Sequence, residues 1–502
     1  MQRDERPGFH LTPRRNWMND PNGLVFRNGR LHAFYQHNPD APAWGRMHWG
    51  HATSRDLVTW RHLPTAISPG DVGPDSFGCW SGCIVDTGAT ATMFYTAVVL
   101  RRGQRRTSIR RATSTDGLRT WTKDPRPCVA GPPAGISPDA FRDPAVYRDE
   151  RGWFMLVGAG TIAGDGTSAG AGMTTGAGPT AGDGAVLIYR SSDLRSWRHA
   201  GAFLATKDLA RVGGADGPCW ECPQLVRLDG AAVLIVSVVD RTPGVRPSHV
   251  EAFVGRVEGD RFVVDHAEQL GMGPDFYAPV AIVTPDGRHL VFGWIPEDPP
   301  PDGAGRTWAG SLTFPRIVSL GGDGRLSLGL ASEVAALRGT PRRLRPSRLV
   351  DGAPARRFRF EGRHFELAVT LREERPGSGP EDPSSIVIEL VDEAAPEPEV
   401  RLVYHPPSRL LTIARSGIVS VAGRSSQNAT ILPGELGQDL DLRLIVDGSI
   451  MEIEADGRTM ATFRLPLAMG DRLAITVAAS GGSARLRRAK AWTLRAPRTS
   501  DA

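Results

Sequence analysis

The chain has 502 residues, a formal charge of only +5 and no run of about 18 apolar residues. It is therefore longer than one ordinary domain, can bury a large core and contains no transmembrane helix. All its basic residues except Lys123, Lys207 and Lys490 are arginines, dispersed apart from short clusters such as Arg101-Arg102 with Arg105-Arg106. With no nucleic-acid-binding motif beside them they read as a solvated surface, which excludes a nucleic-acid partner. Met1 to His10 is charged and lacks an apolar segment, so no secretory signal is read and an intact native start implies the cytoplasm. The five cysteines include Cys79 with Cys83 and Cys219 with Cys222. Four thiolates can hold zinc. The preferred reading is small buried hydrophobes in a reducing compartment, with no metal, because a zinc site here would compete with nearby acidic motifs for space.

Abundant Gly and Pro with short apolar runs predict many strands joined by turns. The first motif is Trp17-Met18-Asn19-Asp20-Pro21-Asn22-Gly23. Pro21 fixes its own φ and Asn22-Gly23 favours left-handed backbone, so a tight turn holding Asp20 at a strand mouth is expected. The same residues also suit a plain hairpin. Leu24 to Gln36 reads as two strands around Asn28-Gly29. Trp44 to His51 is dense in aromatics and imidazoles, suited to stacking on sugar rings.

A repeat follows: Ser54-Arg55-Asp56-Leu57-Val58-Thr59-Trp60, then Ser114 to Trp121, then Ser191 to Trp197. Its wide spacing suits four-stranded units, hence a β-propeller, with Ser and Asp capping a turn and Trp packing between blades. Asp75 to Cys83, with Trp80 and Ser81, is a candidate pocket wall. Phe141-Arg142-Asp143-Pro144 carries a second carboxylate in a Pro-fixed turn. Gly158 to Gly184, rich in Gly, Ala, Thr and Ser, reads as a mobile inserted loop. Trp220-Glu221-Cys222-Pro223 is the third acidic motif, and a Glu between Trp and Cys is expected in a low-polarity setting that raises its pKa. An Arg/Pro-rich connector near 337–346 precedes alternating strands, Arg357 to Leu371, Ser385 to Leu390, Val400 to Tyr404, Leu410 to Ala414, Leu440 to Val446, Ile450 to Glu454 and Thr459 to Leu465, which is a β-sandwich pattern.

WMNDPNG, FRDP and WECP in this order, with Met47-His48-Trp49-Gly50-His51, Asp275-Phe276-Tyr277-Ala278 and the LTFPR stretch, resemble glycoside hydrolase family 32, the β-fructofuranosidases. The resemblance implies an all-β fold: a five-bladed propeller over residues 1–336, a linker at 337–346 and a β-sandwich over 347–502. It implies a retaining double displacement on terminal β-D-fructofuranosyl residues of sucrose, sucrose 6-phosphate or fructans. Asp20 would be the nucleophile, Glu221 the acid and then base, about 5–5.5 Å apart. Asp143 would hold fructose hydroxyls and help keep Glu221 protonated. Asn19, Gln36, Trp44, Trp80, Ser81, Arg142 and Trp294 match positions that contact the sugar. No cofactor is expected, since two carboxylates and water suffice. Cys83 stands where the family often has a second Ser, and the 158–184 insertion is long. A fructosyltransferase, a non-catalytic sugar-binding propeller and an arabinosyl glycosidase are the competing readings. A phosphate site would need basic residues at the mouth, with Arg46 or Arg101 to Arg106 as candidates.

Overall fold

The structure, a computed structural model, describes residues 6–162, 181–215, 217–239, 249–297, 307–375, 384–395, 397–415, 427–432, 437–466 and 469–496. Their regular secondary structure is almost entirely strand, with two short 3-10 turns. Among the described residues no helix is long and apolar enough to cross a membrane. The chain divides into two units, one from the described residues of Leu11–Leu270 and Phe276–Leu326, the other from those of Met1–His10, Gly271–Asp275 and Ser327–Ala502.

The larger unit is built from five sheets among the described residues, with successive strands antiparallel neighbours in each. Their first strands are Asn16–Arg27, Gly78–Asp86, Ile136–Asp149, Trp220–Leu228 and Tyr277–Val283. Each of these packs against the next in that order, and Tyr277–Val283 returns to Asn16–Arg27, so the five form a closed ring. Strand pairing adds to this closure: Asn16 and Trp17 also pair in parallel with Trp308 and Ala309, from late in the unit. That pairing satisfies a strand edge that would otherwise be open.

The Ser-Asp-Trp repeat has the capping role its residues allow. Asp56 Oδ1 accepts the N–H groups of Val58 and Thr59, Asp116 Oδ1 those of Arg119 and Thr120, and Asp193 Oδ1 those of Arg195 and Ser196. The tryptophan that closes each copy then reaches the sheet before its own. Trp121 meets Phe34 at 6.0 Å, Trp197 meets Phe94 at 5.7 Å, and Trp60 of the first sheet meets Phe292 of the last at 5.9 Å. Edge-on aromatic pairs of this kind thus tie neighbouring sheets, including the last to the first.

Three local expectations are corrected. Asn28-Gly29 is the hairpin turn, both residues at positive φ, whereas Asn22-Gly23 lies inside the strand Asn16–Arg27. Residues 158–162 and 181–184 are paired strand and not loop; the remainder of that insertion, 163–180, lies outside the described residues. In the smaller unit, the run 357–371 is two strands in different sheets, Arg356–Glu361 and His364–Arg375, separated at Gly362 with φ +83°. Arg472–Ser480 and Ser483–Thr493 are further strands that the reading of alternation passed over, and each pairs with two or more partners in its sheet. The two sheets of this unit share one apolar core running from Leu349 to Ala491.

Within the smaller unit Asp447 is fully buried yet accepts from the backbone N–H groups of Gly8, Phe9 and His10 and contacts the His10 and His364 rings at 2.7 Å. Burial alone would raise its pKa, but the His10 and His364 bonds hold it well below the usual carboxylate range. Its contribution is present above the unfolded pKa of about 3.9 and is lost as pH falls below it. Asp447→Ala should therefore destabilise the protein by about 3–5 kcal/mol, the cost of breaking a buried charged pair from one side. A denaturant midpoint equal to that of the parent protein would contradict this.

Candidate active site

Every first strand of the five sheets carries a β-bulge near the same end. The register slips between Met18 and Pro21, Trp80 and Gly82, Glu221 and Gln224, and Tyr277 and Val280, and opposite Asp143-Pro144 between Leu156 and Gly158. In three of these bulges the extra pair ends in proline, Asp143-Pro144, Cys222-Pro223 and Ala278-Pro279, and in the first strand the extra pair is Asn19-Asp20 with Pro21 directly after it. Proline has no N–H to lose from the ladder, so a bulge is where a strand tolerates it. Asp143, Cys222 and Ala278 take φ of 63°, 48° and 46°, a conformation costly for residues with a Cβ and sustained only by surrounding structure. The bulges re-aim side chains that regular alternation would turn away, so five separate strands contribute to one spot.

That spot holds the three carboxylates. Ser81 Oγ donates to Asp20 Oδ2 at 2.7 Å. Asp143 Oδ2 accepts from the Cys222 N–H at 3.1 Å, while the Cys222 thiol lies 3.6 Å from Asp143 Oδ2 and 3.9 Å from Asp20 Oδ2. The thiol thus bridges the two aspartates. Glu221 is gripped at both oxygens, by Arg142 Nε at 2.7 Å and by the Tyr277 hydroxyl at 2.7 Å. Its setting is polar, contrary to the low-polarity expectation: Trp220 points away into the core, and the Glu221 side chain turns toward Arg142.

Burial raises Asp20 to about 6, against the lowering effect of its Ser81 and Asn19 hydrogen bonds, and the charge of Glu221 adds to the rise. Asp143 is raised as well, by burial first and then by Glu221, with Arg142 opposing. Three acids share one buried guanidinium, so a proton taken up near neutral pH belongs to the cluster and not to one residue. The site therefore holds acids that can exchange a proton near neutral pH within one buried cluster.

Aromatic rings form the wall. Trp44, 43% exposed, meets Trp80 at 5.8 Å and Phe77 at 6.2 Å, and Trp17 meets Trp294 at 5.9 Å. Trp17 Nε1 also donates to Asn19 Oδ1 at 2.7 Å, beside Asp20. Gln36 is buried and donates to the Cys79 carbonyl, one residue before Trp80. Asn19, Trp80, Ser81, Arg142 and Trp294 thus touch the carboxylate cluster or its wall, with Trp44 at the exposed rim. Among the cysteines, Cys79 contacts Asp75 and Lys123, far in bonding terms from Cys222.

Two functional features went unread in the sequence. Tyr277 holds Glu221, and its signal was the Tyr277-Ala278-Pro279 sequence, which repeats the residue-then-proline pattern of the acidic motifs. Gly184 is the other: a Cβ there would meet the Trp220 ring at 2.2 Å. Gly184→Ala should push Trp220, and with it Glu221, out of place, lowering kcat by about tenfold or more and lowering the melting temperature, since overpacking costs about 1–3 kcal/mol. Parent-like kcat and melting temperature would show that the ring has room to yield.

A cavity of about 610 Å³ lined by Arg14, Tyr35, His37, Asp40, His62 and Thr307 among others includes none of Asp20, Asp143 and Glu221.

The chain matches the profile of the glycosyl hydrolases family 32 N-terminal domain over residues 10–328. A raffinose invertase of Escherichia coli is 36% identical over 355 residues, 68% of each chain. A sucrose-6-phosphate hydrolase of Zymomonas mobilis is 35% identical over 334 residues, 62% of this chain but only 60% of the relative. The solved family 32 β-fructofuranosidase of Bombyx mori superposes with a TM-score of 0.76 over 98% of this chain and 94% of its own, at 24% identity. The fructan 1-exohydrolase IIa of Cichorium intybus does so with a TM-score of 0.79 over 99% and 98%, at 22% identity. At those identities the superpositions speak to the fold alone.

Proposed function

The chain belongs to glycoside hydrolase family 32, and from that premise we propose that it releases fructose from terminal β-D-fructofuranosyl residues of sucrose or fructans with retention of configuration. The larger unit is read as a five-bladed propeller and the smaller as a β-sandwich. The observation that carries the reading is the meeting of Asp20, Asp143 and Glu221 at the bulged ends of three strands of one closed ring.

Asp20, ionised and aligned by Ser81, attacks the anomeric carbon of the fructosyl unit. Glu221 gives its proton to the glycosidic oxygen as that bond breaks, and the aldose leaves. The fructosyl ester on Asp20 is then attacked by water, whose proton returns to Glu221, and Asp20 leaves as carboxylate. Arg142 and Tyr277 keep Glu221 in one orientation through both steps. Asp143, fixed by the Cys222 N–H, accepts sugar hydroxyls and faces the positive charge that develops on the ring. Trp17, Trp44, Trp80 and Trp294 supply apolar faces, with Asn19 and Gln36 as polar contacts to the sugar.

Incubation with sucrose, sucrose 6-phosphate, inulin and levan, with free fructose measured, tests the reading; absence of fructose from all four in a folded protein would reject it. A pH profile adds detail. The attacking form of Asp20 is the ionised one, so kcat/KM should rise with pH through about 6. Ser81→Ala removes a bond that favours the carboxylate, so the acid limb should move to higher pH, with activity at pH 5 losing more than activity at pH 8. A uniform loss at every pH would mean that Ser81 acts on something other than Asp20.

A further inference from the structure

The rim of the site carries an arginine that, among the described residues, has no ion-pair partner. Of the basic candidates at the mouth, Arg46 is committed to its own loop: Nε donates to the Ser76 carbonyl, and one terminal nitrogen donates to Pro69 and Gly70 carbonyls and pairs with Asp71. Arg106 donates to the Gln104 side chain, and Arg101 and Arg102 stand exposed at a hairpin tip where Arg101 pairs with Gln104. Arg105 differs from all of these. It is half-buried, its guanidinium lies 5.7 Å from the centre of the Trp80 ring, and among the described residues no carboxylate comes within ion-pair distance of it. An arginine stacked on an indole keeps its charge and its planar fork of donors, so its N–H groups remain free to bind.

The position of Arg105 indicates which part of a substrate it meets. Trp80 contacts the exposed Trp44 on one side and, through Ser81, adjoins the floor where Asp20 lies. The groups that act on Arg105 electrostatically are Arg142, Asp139 and Glu221. Glu221 is the residue that protonates the leaving oxygen, so Arg105 stands toward the leaving group. Asp139 opposes its charge but does not pair with it, and Arg142 repels it. A bound dianion would relieve that repulsion.

We propose that Arg105 is a specificity-determining residue that binds a phosphate monoester on the leaving aldose, so that the protein favours a phosphorylated disaccharide over the neutral one. This deepens the fructosidase reading and rests on it. The fork of a guanidinium matches phosphate oxygens two at a time, which neutral hydroxyls do not reproduce.

The test compares kcat/KM for sucrose 6-phosphate and sucrose in the parent protein, in Arg105→Gln and in Arg102→Gln as an exposed control. The parent should favour the phosphate ester by about 10–100-fold, the range expected of a charge-assisted bond. Arg105→Gln should lose about tenfold or more of that ratio, and Arg102→Gln should keep it. Binding of glucose 6-phosphate, measured by calorimetry, should exceed that of glucose in the parent and fall to the level of glucose in Arg105→Gln. A parent ratio near one, an unchanged ratio in Arg105→Gln, or an equal loss in Arg102→Gln would overturn the proposal while leaving sucrose hydrolysis as its own evidence for the fructosidase reading. Turnover of none of these sugars would instead strike that reading.

Discussion

Asp20→Ala should release fructose at least about 10⁴-fold more slowly than the parent protein at saturating substrate, the scale seen when a nucleophile is deleted from a cooperating set. The loss should come without collapse of the fold. Asp20 lies in a bulge, where its side chain adds no rung to the sheet, and the bonds lost are local ones from Ser81 and Asn19 with the long Cys222 thiol contact. Removing it also removes one of three crowded negative charges, which relieves repulsion among the survivors. The melting temperature should therefore hold or rise while turnover disappears. Residual turnover above about a hundredth of the parent rate would mean that another group attacks, because no water-mediated route in this site approaches the rate of the covalent one.

Glu221→Gln should be the second largest loss, about 10³-fold on sucrose, within the range for removal of a positioned general acid. Glutamine keeps the volume of the side chain but not its bonding pattern. Arg142 Nε and the Tyr277 hydroxyl both donate to Glu221, one to each oxygen, and an amide can accept at only one end. One donor then faces an N–H group, so Arg142 or Tyr277 must turn away. The proton for the leaving oxygen is also gone. A fructoside whose leaving group departs without protonation should lose much less rate than sucrose in the first step, and the fructosyl ester should accumulate because the second step lacks its base. Equal losses on both kinds of substrate, with no accumulation, would remove Glu221 from the acid role.

Much of this site was legible in the sequence, for a physical reason. The residues that define it are also the residues that bend the strands, so Asp20-Pro21, Asp143-Pro144 and Cys222-Pro223 announce themselves as breaks in strand patterning. Ala278-Pro279 makes the same break without an acid, and for that reason Tyr277 was passed over. The bulges themselves were read as turns, since a proline after a residue at positive φ has the same local chemistry in both. Gly184 was hidden in a run of small residues whose composition argues for a loop. That end of the run is in a strand because it pairs with residues 158–162, and its glycine leaves room for Trp220, a residue of the next sheet; no local pattern carries that information. The placement of Arg105 over Trp80, with no ion pair among the described residues, is likewise a fact of three dimensions: in the sequence it is one of four arginines in six positions, and only the commitments of its neighbours distinguish it.

The most direct test of the account is to mix Glu221→Gln with a fructoside that carries an easily displaced leaving group, quench, digest and locate any sugar bound to the protein. The account predicts one anhydrofructose unit on the peptide containing Asp20, released on standing as fructose. Turnover with no adduct, or an adduct carried by Asp143 in place of Asp20, would contradict the assignment of Asp20 as the nucleophile.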